Sequence, residues 1–267
     1  MDNPIKVAVA GARGRMGLEV VIAVHEAVGL ELVAAIDRSQ VGDDIGEIAG
    51  IGNIGVAIQT DLQSALESSK PDVVVDFTLP VSAMDNIRTA LKSGVRPVVG
   101  TTGITVENEN EVRELCSKTD IPCIIAPNFA IGAILLMEFA KQAAKYMPDV
   151  EIIEMHHEKK LDSPSGTALM TARKISEGRI NRPIPAPQNL VEKIPGGRGA
   201  ELDSTHIHSV RLPGFVASQA VIFGGPGQTL TLRHDSLDRK SFMPGVVLAV
   251  RKVMETEGLI VGLENLL

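Results

Sequence analysis

Histidine, lysine and hydroxyl side chains gather in one short stretch, EMHHEKKLDSPSGTA, at residues 154–168. The pair His156 and His157 could take up or release a proton near neutral pH. The turn 165–167 precedes an apolar run with helical spacing and supplies a capping serine, so a helix is predicted to begin there. Helix amides together with Lys160 favour a bound carboxylate or phosphate. The stretch therefore predicts a site that binds an anion and gives it a proton; the alternative is an exposed basic loop beside a capped helix.

Three glycines at the end of a predicted strand form a second candidate site. Gly11, Gly14 and Gly17 follow the apolar run IKVAVA and stand directly before a helical pattern. Such a loop permits a tight turn, close approach of the backbone to a pyrophosphate, and close packing of helix on strand. Asp37 ends the next predicted strand, where a ribose-binding acid belongs, and Arg38 beside it suits a 2′-phosphate. The pattern predicts NADH or NADPH binding; a glycine-rich turn beside a surface ion pair is the alternative.

A metal site is the rival interpretation of the histidines. His206 and His208 alternate along a predicted strand and share one face, from which they could join His156 or His157 around an ion. No carboxylate or cysteine stands at ligand spacing among them, so we predict no metal. The two cysteines lack nearby histidines and are predicted to be reduced thiols.

The glycine loop requires a strand before it and a helix after it, and that alternation continues through residues 1–127. Runs such as PDVVVDF and IPCIIAP are nearly continuous, apolar and β-branched, which is typical of parallel strands covered on both faces. We predict an α/β fold with a doubly wound, mostly parallel, Rossmann-type sheet. This dinucleotide-binding domain spans 1–127, with 240–267 returning to it.

The basic stretch lies in a second predicted domain, at 128–239. It begins with an amphipathic helix whose buried face is predicted to include Ile131, Leu135, Phe139 and Ala143. The strand VEIIEM follows, and the runs ASQAVIFGG and QTLTLRH flank a glycine turn as an antiparallel hairpin. We predict an α+β domain with a mixed or antiparallel sheet, and an irregular segment at 177–204, which is rich in proline and glycine.

Composition narrows the class of protein. The formal net charge is −7, and the chain has one Tyr, six Phe and no Trp, so neither a basic stripe nor a stacking surface for nucleic acid is expected. No run approaches the ~18 apolar residues of a membrane span, and MDNPIK has no secretory pattern. We predict a cytoplasmic protein that acts on a small molecule.

The chain resembles the dihydrodipicolinate reductases of lysine biosynthesis, also described as 4-hydroxy-tetrahydrodipicolinate reductases. The resemblance covers essentially the whole chain and rests on VAVAGARGRMG, VVVDFT, VGTTG, APNF, the stretch 154–168, HSVRLPG and RHDSLDRKSF. It implies NAD(P)H-dependent reduction of a small dicarboxylate to tetrahydrodipicolinate in lysine (diaminopimelate) biosynthesis. It also implies a homotetramer assembled through the sheet of the second domain. That domain would both bind the substrate and mediate oligomerisation.

The resemblance implies a role for each matched residue. The proton donor corresponds to His156 and the second catalytic group to Lys160. The residues that would hold NADH or NADPH are Gly11, Ala12, Arg13, Gly14, Arg15, Met16, Asp37, Arg38, Gly100, Thr101, Thr102, Ala126, Pro127, Asn128 and Phe129. Those that would hold the substrate carboxylates are His157, Lys160, Ser165, Gly166, Thr167 and Thr102. Arg239 matches an arginine of the pattern, and Gln219 stands where many members carry a histidine.

Two other functions fit parts of the sequence. One is reduction of a different imino or amino acid by the same kind of two-domain, NAD(P)-dependent enzyme. The other is a non-catalytic protein that senses NAD(P)H. A sensor needs no proton donor beside an anion site and often carries a DNA-reading segment. This chain has a candidate proton donor beside an anion site and lacks a DNA-reading segment.

Overall fold

The computed structural model describes residues 3–179 and 191–267. In chain order its main elements are β1 (Ile5–Ala10), α1 (Arg15–Glu26), β2 (Leu30–Ile36), α2 (Ile45–Ala49), β3 (Ile58–Gln59), α3 (Leu62–Ser69), β4 (Val73–Asp76), α4 (Pro80–Lys92), β5 (Arg96–Val99), α5 (Val106–Thr119), β6 (Cys123–Ile125), α6 (Ile131–Ala144), β7 (Asp149–His156), α7 (Gly166–Gly178), β8 (Ala200–Leu202), β9 (Thr205–Arg211), β10 (Ala217–Gly225), β11 (Gln228–Ser236), α8 (Met243–Lys252) and β12 (Leu259–Val261). The chain divides into two compact units, one of Met1–Phe129 with Phe242–Leu267 and one of Ala130–Ser241.

The first unit is built on a parallel sheet. Within the described residues it has seven strands in the order β12-β6-β5-β4-β1-β2-β3, and every neighbouring pair is parallel. Ala8 and Ala10 of β1 pack in a cluster with Leu62 and Leu66 of α3, while Val9, on the opposite face of the strand, is also fully buried. Strands covered on both faces must be apolar throughout, as these are. The predicted doubly wound, Rossmann-type sheet is confirmed.

The second unit is an α+β fold, as predicted. Among the described residues of this unit, five strands lie in the order β11-β10-β7-β9-β8; β7 and β9 are parallel, and the other neighbouring pairs are antiparallel. The predicted hairpin is the pair β10 and β11. The core of the second unit packs α6 and α7 on one face of its sheet. It consists of Leu136, Ala140, Ala144, Val150, Ile152, Ala168, Ala172, Ile175, Ile207, Val221 and Phe223.

The predicted buried face of α6 was wrong at Leu135 and Phe139, although Ala143 of that face packs against the core. Leu135 and Phe139 are 38% and 50% exposed, whereas Leu136 and Ala140 are buried in the core. Nearly every residue from 130 to 140 is apolar, so spacing alone does not single out one face. The position of the sheet decides which side of the helix is covered.

The segment 177–204 was predicted to be irregular, but Ala200–Leu202 forms a short strand that pairs with β9. Residues 180–190 of that prediction lie outside the described residues. No helix in the described ranges combines the length and the apolar character that a membrane crossing requires.

Candidate functional site

The glycine loop owes its shape to close backbone contacts. Gly11 follows β1 with a φ of +75°, a conformation that favours glycine, and a Cβ there would lie 2.8 Å from the carbonyl oxygen of Phe77. A Cβ at Gly17 would lie only 2.0 Å from the carbonyl oxygen of Gly11. Gly14 donates its amide to that same oxygen at 2.9 Å. The loop therefore brings the start of α1 close against the end of β1.

The start of α1 suits an anion. Gly14 occupies the N-cap position and, since glycine has no side chain, it caps none of the first amides of the helix. The first amides of a helix have no partner inside the helix and carry partial positive charge. A turn with glycines at positions 11 and 14 beside such amides fits the pyrophosphate of a dinucleotide.

Asp37 lies at the next strand end and is tied to the glycine loop. Its Oδ2 accepts from the amide of Arg13 at 3.0 Å, and its Oδ1 accepts from the amide and hydroxyl of Ser39 at 3.1 and 2.9 Å. Burial by itself raises the pKa of Asp37, but the hydrogen bonds from Ser39 and Arg13 lower it on balance. Asp37 is thus a carboxylate, and the second lone pair of its Oδ2 can accept from a ribose hydroxyl.

A cavity of about 510 Å³ opens beside these residues. Four predicted cofactor residues line it, namely Gly11, Gly14, Asp37 and Arg38. Other lining residues come from the loop after β4 and from α4, including Thr78 and Asn86. The cavity has the size and setting of a ligand pocket at the carboxyl edge of an open α/β sheet.

Sequence reasoning missed Asp76, which organises this edge. Its side chain is buried at the end of β4 and accepts from the amide and hydroxyl of Thr78, both at 2.7 Å, from Asn86 at 2.7 Å and from the hydroxyl of Thr101 at 3.1 Å. One carboxylate therefore holds the loops after β4 and β5 and the side of α4. An acid that ends an apolar strand, as in VVVDFT, is the signal that could have found it.

The remaining predicted cofactor loops adjoin the same strand ends. Gly100 packs so closely on the ring of Phe77 that a Cβ would meet it at 2.2 Å. That ring lies 5.7 Å from the ring of Phe129, centroid to centroid. The amide of Ala126 donates to Val99 of the neighbouring strand. The loops that hold Gly100–Thr102 and Ala126–Phe129 therefore lie along the same edge.

The basic stretch begins where β7 ends. His156 is the last residue of the strand, so His157 is not obliged to point to the opposite face of the sheet. Glu154 lies two positions earlier and on the same face as His156. Its Oε2 lies 2.5 Å from Nδ1 of His156. Glu154 was not among the predicted site residues, although its spacing from His156 is the signal that could have found it.

Lys160 lies in the turn after β7. Its amide donates to the carbonyl of His157 at 3.2 Å, and its Nζ donates to Oδ1 of Asp162 at 2.8 Å. The hydrogen bond from Lys160 lowers the pKa of Asp162. The side chain of Lys160 is about three-quarters buried, with 23% exposure, and places a positive charge in the loop that follows the two histidines.

The predicted helix start is confirmed. Ser165 is the N-cap of α7, and its Oγ accepts from the amide of Ala168 at 3.2 Å. The amide of Ser165 itself donates to Oε1 of Glu154 at 3.3 Å. Gly166 and Thr167 form the first turn of the helix, so the second unit brings the end of β7 and the start of α7 together.

The side chains of His206 and His208, on β9, point away from His156. In the parallel pairing of β9 with β7, His206 is opposite Glu151 and His208 is opposite Ile153, so both lie on the other face of the sheet from His156. His208 is paired with Oε2 of Glu151 at 2.7 Å. In the described part of the chain, no group of three or more His, Cys, Asp or Glu residues is arranged to hold a metal ion.

Two residues that the resemblance left open have definite positions. Gln219 is buried on β10 and donates to the hydroxyl of Thr171, which in turn donates to the carbonyl of Thr167 in the first turn of α7. Arg239 begins a short 3₁₀ helix, Arg239–Phe242. Thr102 lies in the first unit, in the loop after β5.

Family models and relatives match the chain over nearly its whole length. The model described as dihydrodipicolinate reductase, N-terminus, matches residues 5–129, and the model described as dihydrodipicolinate reductase, C-terminus, matches residues 132–267. Relatives named 4-hydroxy-tetrahydrodipicolinate reductase include one from Moorella thermoacetica, 49% identical over 100% of this chain and 99% of its own length. Another, from Geobacillus kaustophilus, is 53% identical over 98% of this chain and 99% of its own.

A solved structure agrees with both units. The dipicolinate-bound dihydrodipicolinate reductase from Paenisporosarcina sp. TG-14 is 47% identical, covers 99% of this chain and 100% of its own, and has a TM-score of 0.87. An amine dehydrogenase from Mycobacterium smegmatis, at 16% identity and a TM-score of 0.68, shares the fold alone.

Proposed function

Since the chain belongs to the dihydrodipicolinate reductase family and is an NAD(P)H-dependent oxidoreductase, we propose that it reduces 4-hydroxy-tetrahydrodipicolinate to tetrahydrodipicolinate. The observation that carries the proposal is the arrangement in the second unit. One buried carboxylate, Glu154, joins His156 at the end of β7 to the start of α7, and Lys160 lies in the loop between these two elements. A dicarboxylate needs cations and helix amides in a chain of net charge −7, and this stretch supplies them.

The proposed cofactor is NADH or NADPH. The residues assigned to it by family resemblance are those of the glycine loop, the strand end at Asp37 and the loops at 100–102 and 126–129. Asp37 is proposed to accept from the ribose hydroxyls of NADH, and the guanidinium of Arg38 to pair with the 2′-phosphate of NADPH. Their adjacency supports use of both cofactors.

Conversion of the substrate requires loss of water and gain of one hydride and one proton. When bound, the reduced nicotinamide supplies the hydride. In the proposal, His156 gives the proton that offsets the negative charge developing on the substrate, and Lys160 acts as the second catalytic group. A positioned acid of this kind contributes about 10²–10⁴-fold to the rate. His157, Ser165, Gly166, Thr167 and Lys160 are proposed to hold the carboxylates, with Thr102 added from the loop after β5.

The family also suggests a wider role. We propose that the reaction serves lysine and diaminopimelate biosynthesis and that the enzyme is a homotetramer assembled through the sheet of the second unit. A cytoplasmic location stays a prediction from the sequence.

The direct test is reduction of freshly generated 4-hydroxy-tetrahydrodipicolinate by the purified protein. We expect loss of the nicotinamide absorbance with NADH, NADPH or both, and no comparable loss with simple imino acids. Turnover of an imino acid in place of the dicarboxylate would favour the broader reductase alternative. Cofactor binding without turnover of either would favour the sensing alternative.

A pair of neighbouring lysines provides the matched variants. Lys160→Met removes the positive charge of a mostly buried side chain and should lower kcat by about 10²-fold or more while leaving NADH affinity unchanged. Lys159→Met removes an equal charge from an exposed position one residue away and should have little effect. Equal activity of the two variants would contradict the catalytic role of Lys160.

A further inference from the structure

Glu154 is a buried carboxylate at the centre of the second unit's site. Its side chain has 0% exposure, and it accepts hydrogen bonds from three separate segments of the chain. Nδ1 of His156 lies 2.5 Å from Oε2, and the amide of Ser165 donates to Oε1 at 3.3 Å. Arg211, at the end of β9, donates to both oxygens, with Nη1 at 2.9 Å from Oε2 and Nη2 at 2.7 Å from Oε1.

The arrangement keeps Glu154 ionised. Burial by itself raises the pKa of Glu154, but hydrogen bonds from His156, Arg211 and Ser209 lower it to about 2. A carboxylate only accepts hydrogen bonds, so the ring nitrogen that faces Glu154 must carry a proton. The proton of the neutral imidazole is then on Nδ1, which leaves Nε2 to exchange a proton with a bound molecule.

Arg211 fixes the orientation of the Glu154 carboxylate through two hydrogen bonds. A guanidinium and a carboxylate that meet through two parallel hydrogen bonds have a fixed relative orientation. The same Nη2 also donates to the carbonyl of Asp162 at 2.7 Å, in the loop that carries Lys160. The orientation of the ring, the start of α7 and the lysine loop are therefore set by one connected network.

We infer that Glu154, held by Arg211, is a positioning residue that fixes the tautomer and orientation of His156 for proton transfer, an inference that rests on the proposed function. It acts through His156 and does not touch the substrate. The carboxylate also provides a compensating negative charge beside the imidazole when the ring carries two protons. The closest analogy is the buried acid that orients the histidine of a hydrolytic triad.

The same strand offers a matched control. Glu151 is three residues earlier, on the opposite face of the sheet, and it too pairs with a histidine and an arginine, His208 and Arg198. Glu151→Gln removes a carboxylate of the same type from the same strand without touching the network of His156. We expect it to leave kcat unchanged.

The test is a double-mutant cycle on kcat. Glu154→Gln should lower kcat by about 10²-fold or more, with KM for NADH unchanged. In a His156→Asn background the same substitution should cause little further loss, because its effect is exerted through the ring. An equal loss in both backgrounds would mean that Glu154 is only a structural ion-pair partner and would overturn the inference.

A second measurement does not require the Glu154→Gln variant to fold. NMR of the wild-type protein with ¹⁵N-labelled histidine, assigned by comparison with His156→Asn, should find the neutral ring protonated on Nδ1. A neutral ring protonated on Nε2 would overturn the inference. Because this spectrum needs no substrate, failure of the proposed function appears separately, as an inactive wild-type protein.

Discussion

Substitution of Gly17 by alanine sets two physical effects of opposite sign against each other. Gly17 is in the first turn of α1, and alanine is favoured over glycine in a helix by about 1 kcal/mol. The added Cβ, however, would lie 2.0 Å from the carbonyl oxygen of Gly11 and 2.9 Å from the carbonyl carbon of Ala12. Contacts of Cβ atoms below 3.0 Å essentially do not occur, so α1 and the loop must separate by at least about 1 Å.

The steric clash should outweigh the gain in helix propensity, because the backbone atoms that the added Cβ meets cannot rotate away as a side chain could. Overpacking of this kind reduces stability by about 1–3 kcal/mol. We therefore expect Gly17→Ala to lower the free energy of unfolding by about that amount despite the gain in helix propensity. The first amides of α1 move with the helix, so NADH affinity should fall by at least about tenfold, equivalent to about 1.4 kcal/mol.

Gly14→Ala is the control that separates stability from binding. Gly14 has φ −64° and ψ 160°, which any residue adopts, and its added Cβ would lie 3.1 Å from the nearest atom, the carbonyl oxygen of Gly11. We expect a change in unfolding free energy of at most about 0.5 kcal/mol. Because Gly14 lines the cavity, the methyl group should still weaken NADH binding.

The assays are urea unfolding for stability and titration of the fluorescence of NADH for affinity. The expected pattern is loss of both properties in Gly17→Ala and loss of affinity alone in Gly14→Ala. If Gly17→Ala were as stable as the wild-type protein or more so, helix propensity would outweigh the contact and the reasoning would be refuted.

Three other predictions concern single charges. Arg38→Ala should raise KM for NADPH more than KM for NADH, by about 10-fold or more for a lost charge-assisted phosphate contact; equal effects in steady-state kinetics would exclude the 2′-phosphate role. Asp76→Asn should lower the unfolding free energy by about 1–3 kcal/mol, because the amide nitrogen cannot accept from the donors around it, whereas Asp72→Asn, which alters an exposed hydrogen bond, should have little effect in the same urea assay. The pKa of Glu154 lies at about 2 in the folded chain, below its ordinary 4.5, so its stabilising contribution of about 3 kcal/mol is complete above pH 4.5 and is lost as pH falls towards 2. The difference in stability between the wild-type protein and Glu154→Gln should therefore narrow across that range, and a constant difference would contradict the assignment.

Much of the fold could be predicted because its signals are local. Buried parallel strands have to be apolar at every position, and β4, with VVVD fully buried, is an example. The N-cap at Ser165 was predictable since a hydroxyl one residue before an apolar helical pattern satisfies an amide of the first turn. The close helix-strand packing at Gly17 was predictable because only a residue without Cβ fits there.

Contacts between distant segments could not be read in this way. Asp76 meets Thr101, 25 residues away, and Glu154 meets Arg211, 57 residues away. The buried face of α6 was mispredicted for the same reason, since its apolar residues surround the helix and the sheet alone selects a side.

The sequence by itself determined the alternation of strands and helices, the glycine turn, the capped start of α7 and the placement of Glu154 and His156 on one face of β7. Spacing along the chain encodes these features, because backbone conformation and side-chain direction repeat with the period of each element. Only the tertiary structure decided that β9 lies parallel to β7 in the register that turns His206 and His208 away from His156 and brings Arg211 to Glu154. Strand order and register depend on how remote segments pack, and no local spacing specifies them.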